Sequence, residues 1–202
     1  MIIGLIGKIA SGKSILTKIF AQFNFLIIEM DEISKKLDYR DSPQNLKIKK
    51  WFGTKYIKEN GCLERKALRA LVFENNRHLA RLNKISHPLI KEKVMQIITG
   101  ERRNGIENFV ITGPILFQIK LDHICDLILE IRCREEILIK RIQERDNCSF
   151  SDAKNILDSQ EQLFEQCNNK PWEIFINEFP TIAEYEREAY KTIKNIMAGF
   201  NA

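Results

Sequence analysis

The chain has 202 residues, 44% hydrophobic and 29% charged, which supplies enough apolar side chain for a packed core and excludes a disordered or fibrous chain. Its 32 Lys+Arg against 27 Asp+Glu leave a net charge of +5 and a pI near 8.9, a balance that suits nucleotide-like anions and is too mild for a dedicated nucleic-acid binder. No apolar stretch approaches the roughly 20 residues of a membrane span, and Lys8 ends the apolar opening with no basic segment ahead of it, so neither a membrane protein nor a signal peptide is expected.

Strand and helix patterns alternate along the chain. Residues 2–6 form a β-branched run that predicts a buried strand. Ile15, Leu16, Ile19, Phe20 and Phe23 then recur at helical spacing. Residues 25–28 predict a second strand ending at Glu29, Met30 and Asp31. A long helical section follows, in which Leu63, Ala67, Leu68, Leu71 and Val72 make an apolar stripe opposite Arg65, Lys66 and Arg69. Pro88, after His87, is read as a helix start. Residues 109–112 predict a third strand, residues 126–133 a fourth, and residues 134–145 a helix. Ser149 with Asp152, and Thr181 with Glu184, have capping-box spacing at the heads of two more helices. Residues 172–176 give a last short strand. The alternation predicts an α/β fold with a mainly parallel five-stranded sheet.

Five cysteines (Cys62, Cys125, Cys133, Cys148 and Cys167) are odd in number and lack a C-x-x-C pair, which fits a reducing, cytoplasmic setting. They and the three histidines show no zinc spacing.

Gly7-Lys8-Ile9-Ala10-Ser11-Gly12-Lys13-Ser14 fits G-x-x-x-x-G-K-[ST], between a predicted strand and a predicted helix. The glycines let backbone N–H groups turn toward phosphate oxygens. Lys13 supplies a cation to the β- and γ-phosphates, and the Ser14 hydroxyl is placed to ligate Mg²⁺. The helix N-terminus adds partial positive charge at the same point. This is a nucleotide-binding loop.

Other landmarks accompany it: Ile28-Glu29-Met30-Asp31-Glu32-Ile33, Phe52-Gly53, Gly61-Cys62-Leu63-Glu64-Arg65-Lys66-Ala67-Leu68, His87-Pro88-Leu89-Ile90, Gly113-Pro114-Ile115-Leu116-Phe117, and Lys140-Arg141-Ile142 with Arg145-Asp146. In this order they resemble the dephospho-CoA kinase family, from residue 1 to about 160 and more thinly to 177. The resemblance implies a P-loop NTPase fold of three α/β/α layers. One kinase domain would have its core at about 1–32 and 106–202, a helical substrate-binding insertion at about 33–105 and a lid at about 145–170. The implied activity is transfer of the ATP γ-phosphate to the ribose 3′-hydroxyl of dephospho-CoA, the last step of CoA synthesis, with ATP and Mg²⁺ as cofactors. Nucleic acid and membrane are not expected partners, and the sequence carries no signal for oligomeric state.

The nucleotide is then expected on Gly7, Ala10, Ser11, Gly12, Lys13, Ser14, Ile15, Arg141 and Arg145, and the metal on Ser14 and Asp31. Asp31, Lys13 and Arg145 would be catalytic, Asp31 as acceptor of the hydroxyl proton. Asp31, Arg65 and His87 would meet the acceptor substrate. Arg141 and Arg145, at i and i+4, share a helix face where an intervening anion relieves their repulsion. The plainer alternatives are an N-cap for Asp31, a turn role for His87, and solvent-exposed ion pairs for the arginines.

The sequence also departs from the family pattern. Lys8 and Ala10 stand where glycines are usual, which requires of Ala10 a negative φ or some strain. Glu29-Met30-Asp31 keeps only the last acid of D-A-D. Thr112 and Gln118 replace acidic positions around the third strand's end. These departures keep two alternatives in view: another P-loop nucleotide or nucleoside kinase, and a catalytically weakened ATP-binding regulatory protein.

Overall fold

The run IIGLIG at Ile2–Gly7 (β1) is buried at every position, as expected of a central parallel strand covered on both faces. The computed structural model describes residues 1–160 and 171–200. β1 pairs in parallel with Phe109–Thr112 (β3) and with Leu127–Arg132 (β4), so that Leu5 lies beside Thr112 on one side and Leu129 on the other. With Leu26–Glu29 (β2) and Trp172–Ile176 (β5) the order is β2-β3-β1-β4-β5. β1 is thus the point at which the winding reverses, and in open α/β sheets the ligand crevice lies beyond the carboxyl ends of strands at such a point.

By chain contacts the molecule forms two units, Met1–Ile28 with Asn104–Ala202, and Glu29–Arg103. In the first, Lys13–Gln22 (α1) buries Leu16, Ile19 and Phe20. Ile182–Phe200 (α8) buries Tyr185, Ala189, Ile193 and Ile196, a stripe at i+4 and i+3 spacing. Both stripes join Ile3, Leu5, Val110, Leu129 and Ile131 in one core, where each buried aliphatic contributes about 1.5–3 kcal/mol. Glu135–Asp146 (α6) and Phe150–Asp158 (α7) pair through Leu138, Ile142, Ala153 and Leu157, with Ile9 and Ala10 against them. The Ser149–Asp152 capping box forms in both directions. At α8, the Thr181 hydroxyl accepts from the Glu184 N–H at 3.2 Å.

The second unit holds Met30–Lys36 (α2), Pro43–Phe52 (α3), Arg65–Glu74 (α4) and Asn76–Arg103 (α5). Ser42 caps α3 by accepting from the Asn45 N–H at 3.1 Å, with Pro43 pre-set in its first turn. Ile48, Tyr56, Leu63, Leu68, Val72 and Ile85 form its core.

Two expectations need correction. The second strand stops at Glu29 and α2 starts at Met30, so Asp31 sits in a helix's first turn rather than at a strand end. The helix starts there because Met30 and Ile33 are both buried, a helical spacing that outweighs the extended run before it. Second, Pro88 does not begin a helix but lies inside the 28-residue α5. Its ring is exposed, and buried Ile85, Ile90, Val94 and Ile98 hold the helix on either side of the one backbone bond that proline cannot make. Residues 161–170 of the expected lid, with Cys167, lie outside the described residues.

Candidate active site

The loop 7–14 leaves the carboxyl end of β1 and enters α1 at Lys13. Its carbonyls are tied down from behind by side chains of other elements. Arg141 of α6 donates from Nη1 to the Ala10 carbonyl at 3.3 Å. Asn177, just past β5, donates from Nδ2 to the Ser11 carbonyl at 2.6 Å, and the Tyr185 hydroxyl of α8 donates to the Gly12 carbonyl at 3.0 Å. Three of the loop's carbonyls are thereby held, while its Ile9 N–H donates to Gln160 Oε1 at 2.7 Å and its Ser11 N–H to the Lys8 carbonyl at 3.2 Å; a loop fixed in this way is the kind of backbone concavity that receives an anion. The N-terminus of α1 adds its partial positive charge at the same place.

Space around the loop dictates its glycines. At Gly12, φ is 103° and a Cβ would lie 2.5 Å from Asn177 Nδ2. At Gly7 a Cβ would lie 2.6 Å from Ser11 Oγ and 2.9 Å from the Ile131 carbonyl oxygen. Ala10 takes a φ of 60°, the strained alternative of the two foreseen for it. Lys13 arches back over the loop, its Nζ donating to the carbonyls of Gly7 at 2.6 Å and Lys8 at 2.8 Å. A phosphate oxygen offers that ammonium a stronger, charge-assisted acceptor. Ser14 is exposed at the head of α1, and Thr112, 8% exposed, ends β3 beside β1.

Beside the loop opens a cleft of about 350 Å³, lined by Ala10, Gly12, Ile15, Arg141, Phe179 and Tyr185 among others. Its size is within the range of small-molecule sites. Burial pushes the Tyr185 phenol far up, so the hydroxyl stays a donor at any working pH. Arg141 Nη1 also reaches Cys133 Sγ at 3.7 Å. Burial pushes that thiol up as well, so it meets the guanidinium as a neutral acceptor.

Of the sequence-predicted nucleotide residues, Gly7, Ala10, Ser11, Gly12, Lys13, Ser14, Ile15 and Arg141 come together here. Arg145, one turn beyond Arg141, is exposed and donates from Nε and Nη2 to the Asp146 carboxylate, both at 2.7 Å. Asn177 and Tyr185 were missed: their partners are backbone carbonyls 166 and 173 residues away, which no local pattern encodes. The one available signal is Asn177's place directly after a strand's carboxyl end. Phe117 and Trp172 stack on each other with centroids 5.9 Å apart, and the indole N–H donates to Glu130 at 3.0 Å.

In the second unit a cavity of about 620 Å³ is lined by buried Ile48, Leu63 and Leu68 and by the exposed cations Lys35, Arg65, Lys66 and Arg69. Arg65 donates from Nε to Asp38 Oδ2 at 2.9 Å. Asp31 and His87 lie outside that lining. Asp31 is exposed on α2. His87 is half-buried on α5, and burial holds its imidazole below the usual value, hence neutral near pH 7.

A parallel sheet with helices on both sides, and a strand–loop–helix cradle carrying lysine and serine at its end, define a P-loop kinase fold. The sequence model of the dephospho-CoA kinase family matches residues 1–175. The chain belongs to that family. It is 37% identical over 161 residues to the dephospho-CoA kinase of Fusobacterium nucleatum, covering 79% of this chain and 81% of that one. With the Bacillus anthracis enzyme it shares 32% over 169 residues, 84% of each. The solved dephospho-CoA kinase of Campylobacter jejuni superposes with a TM-score of 0.68 at 28% identity, covering 98% of each chain. A shikimate kinase from Bacteroides thetaiotaomicron, at 12% identity and a TM-score of 0.56, shares the fold.

Proposed function

We propose that the chain is an ATP-dependent dephospho-CoA kinase: the ribose 3′-oxygen of dephospho-CoA attacks the γ-phosphorus of ATP, its proton passes to a carboxylate, and ADP leaves. The observation that carries this is the loop whose carbonyls are bonded outward by Arg141, Asn177 and Tyr185 while Lys13 spans its own carbonyls. That arrangement supports binding of β- and γ-phosphates. The cleft beside it takes the base, between the Arg141 guanidinium and the Phe179 and Tyr185 rings.

The chemistry is positioning and charge neutralisation. Lys13 exchanges its carbonyl partners for the phosphate being transferred. Arg141 stays on the loop, and Arg145 exchanges the Asp146 carboxylate for a phosphoryl oxygen. The cavity in the second unit, cationic over an apolar floor, suits an acceptor that joins phosphates to a less polar body. The second unit carries 18 Lys+Arg against 10 Asp+Glu, in line with an anionic acceptor. Arg65 takes the acceptor's phosphates, His87 contributes a neutral imidazole, and Asp31 is the carboxylate that receives the proton.

The exposed hydroxyl of Ser14 at the head of α1 and the exposed carboxylate of Asp31 on α2 are oxygen donors of the kind Mg²⁺ takes, one or two from the protein beside water and substrate phosphates. Ser14 and Asp31 are the residues that would hold the ion, and Thr112 supplies a hydroxyl rather than a carboxylate at the end of β3. When bound, the ion neutralises charge on the β- and γ-phosphates. No described helix is long and apolar enough to cross a membrane.

The test is ADP release by the wild type and by Lys13→Ala, with and without dephospho-CoA. The wild type should release ADP only with the acceptor. The folded variant should lose roughly 10²–10³ in kcat, as when a transition-state charge donor is removed. Unchanged turnover in Lys13→Ala, or ADP release that ignores the acceptor, would refute the reading.

A further inference from the structure

The Arg65 side chain is not left to search the solvent. Asp38, which follows α2 and whose side chain is only 9% exposed, accepts from Arg65 Nε at 2.9 Å through Oδ2. Arg65 Nη2 donates at 3.1 Å to the carbonyl of Ser34, on α2. The guanidinium therefore spends its Nε edge on two fixed acceptors. A guanidinium has five N–H donors, so Nη1 and the second Nη2 hydrogen remain as a fork, on a residue that lines the cationic cavity.

Asp38 is itself anchored. Its Oδ1 accepts from the Leu63 N–H at 2.7 Å and from Asn45 Nδ2 at 3.0 Å. Asn45, buried on α3, also donates to the carbonyls of Tyr39 and Gly61, both at 3.0 Å. Burial pushes the Asp38 carboxyl up, but the Leu63, Asn45 and Arg65 donors together outweigh burial and hold it below the usual aspartate value. It is a carboxylate at every pH at which the protein would work.

We propose that Asp38 is a positioning residue for the acceptor site, holding the Arg65 guanidinium against the α2 carboxyl end so that its outer fork is pre-set to receive the acceptor's phosphates. This rests on the reading of Arg65 as a contact to dephospho-CoA. The physical gain is that the rotamer freedom of a long arginine is given up on folding rather than on binding. A free arginine on the same helix would hold the same charge but order itself only at the cost of affinity.

The test is calorimetric binding of dephospho-CoA with ADP saturating the nucleotide loop, on wild type, Asp38→Asn, Arg65→Ala and the double variant, beside KM and kcat. Asp38→Asn should weaken acceptor binding about 5–10-fold, with KM for ATP and kcat nearly unchanged. In the Arg65→Ala background the same change should have no further effect, because its target is gone. A purely structural Asp38 would weaken binding equally in both backgrounds, overturning the proposal, as would an Asp38→Asn that binds like wild type. Should Asp38→Asn not fold, Arg65→Lys keeps the charge but cannot bridge Asp38 and Ser34 together, and should reproduce the loss; wild-type affinity in that variant would overturn the proposal. If wild type binds and turns over dephospho-CoA while Arg65→Ala binds it equally well, the proposal falls and the kinase reading stands. If wild type itself does not bind it, both fall.

Discussion

At a φ of 60°, Ala10 occupies a region where a Cβ crowds its own backbone, at a cost of roughly 1–2 kcal/mol. Its methyl packs against the α6–α7 cluster, but a half-buried methyl returns less than about 0.8 kcal/mol. Strain relief wins. Ala10→Gly should therefore raise the melting temperature by about 2 °C, and a fall of similar size would show that the methyl's packing dominates. The loop's chemical residues were legible in the sequence because G-x-x-x-x-G-K-[ST] encodes them by spacing. The residues that hold the loop's shape were not. Asn177 and Tyr185 act on carbonyls from distant elements, and Asp38 acts on Arg65 across 27 residues. A side chain serving a remote backbone group leaves no periodic trace.

Element boundaries were legible where a local device marks them. The third and fifth strands match their expected residues, 109–112 and 172–176, and both predicted capping pairs form. The start of α2 was not legible, because Glu29 at its N-cap makes no side-chain capping bond that the sequence could advertise. In α5, His87-Pro88 looked like a helix head, whereas the apolar spacing of Ile85, Ile90, Val94 and Ile98 carries the helix through. That placement has a consequence for pH. The half-buried His87 binds its proton less readily folded than unfolded. Its contribution to stability is thus complete above the unfolded value of about 6.5 and is lost as pH falls through the folded one. The melting temperature of the ligand-free protein should begin to drop below about pH 6.5, and His87→Asn should flatten that part of the profile. An equally steep decline in the variant would assign the effect to other groups.

For the molecule as a whole, the alternation of strand and helix predicted the parallel sheet, and the order β2-β3-β1-β4-β5 explains why the phosphate loop follows β1: the winding reverses there. The charge of the chain hid an asymmetry. A modest +5 overall conceals a helical unit with 18 basic and 10 acidic residues, and composition alone could not say which residues would share a unit. On the proposed function, the nucleotide would bind the sheet unit and an anionic acceptor the helical one. Mass analysis of the product formed from Mg-ATP and dephospho-CoA tests this most directly. The expected product is CoA, heavier than the acceptor by one phosphoryl group on the ribose 3′-oxygen, in equal amount to ADP. Unmodified dephospho-CoA after incubation with folded, ATP-binding protein would contradict it.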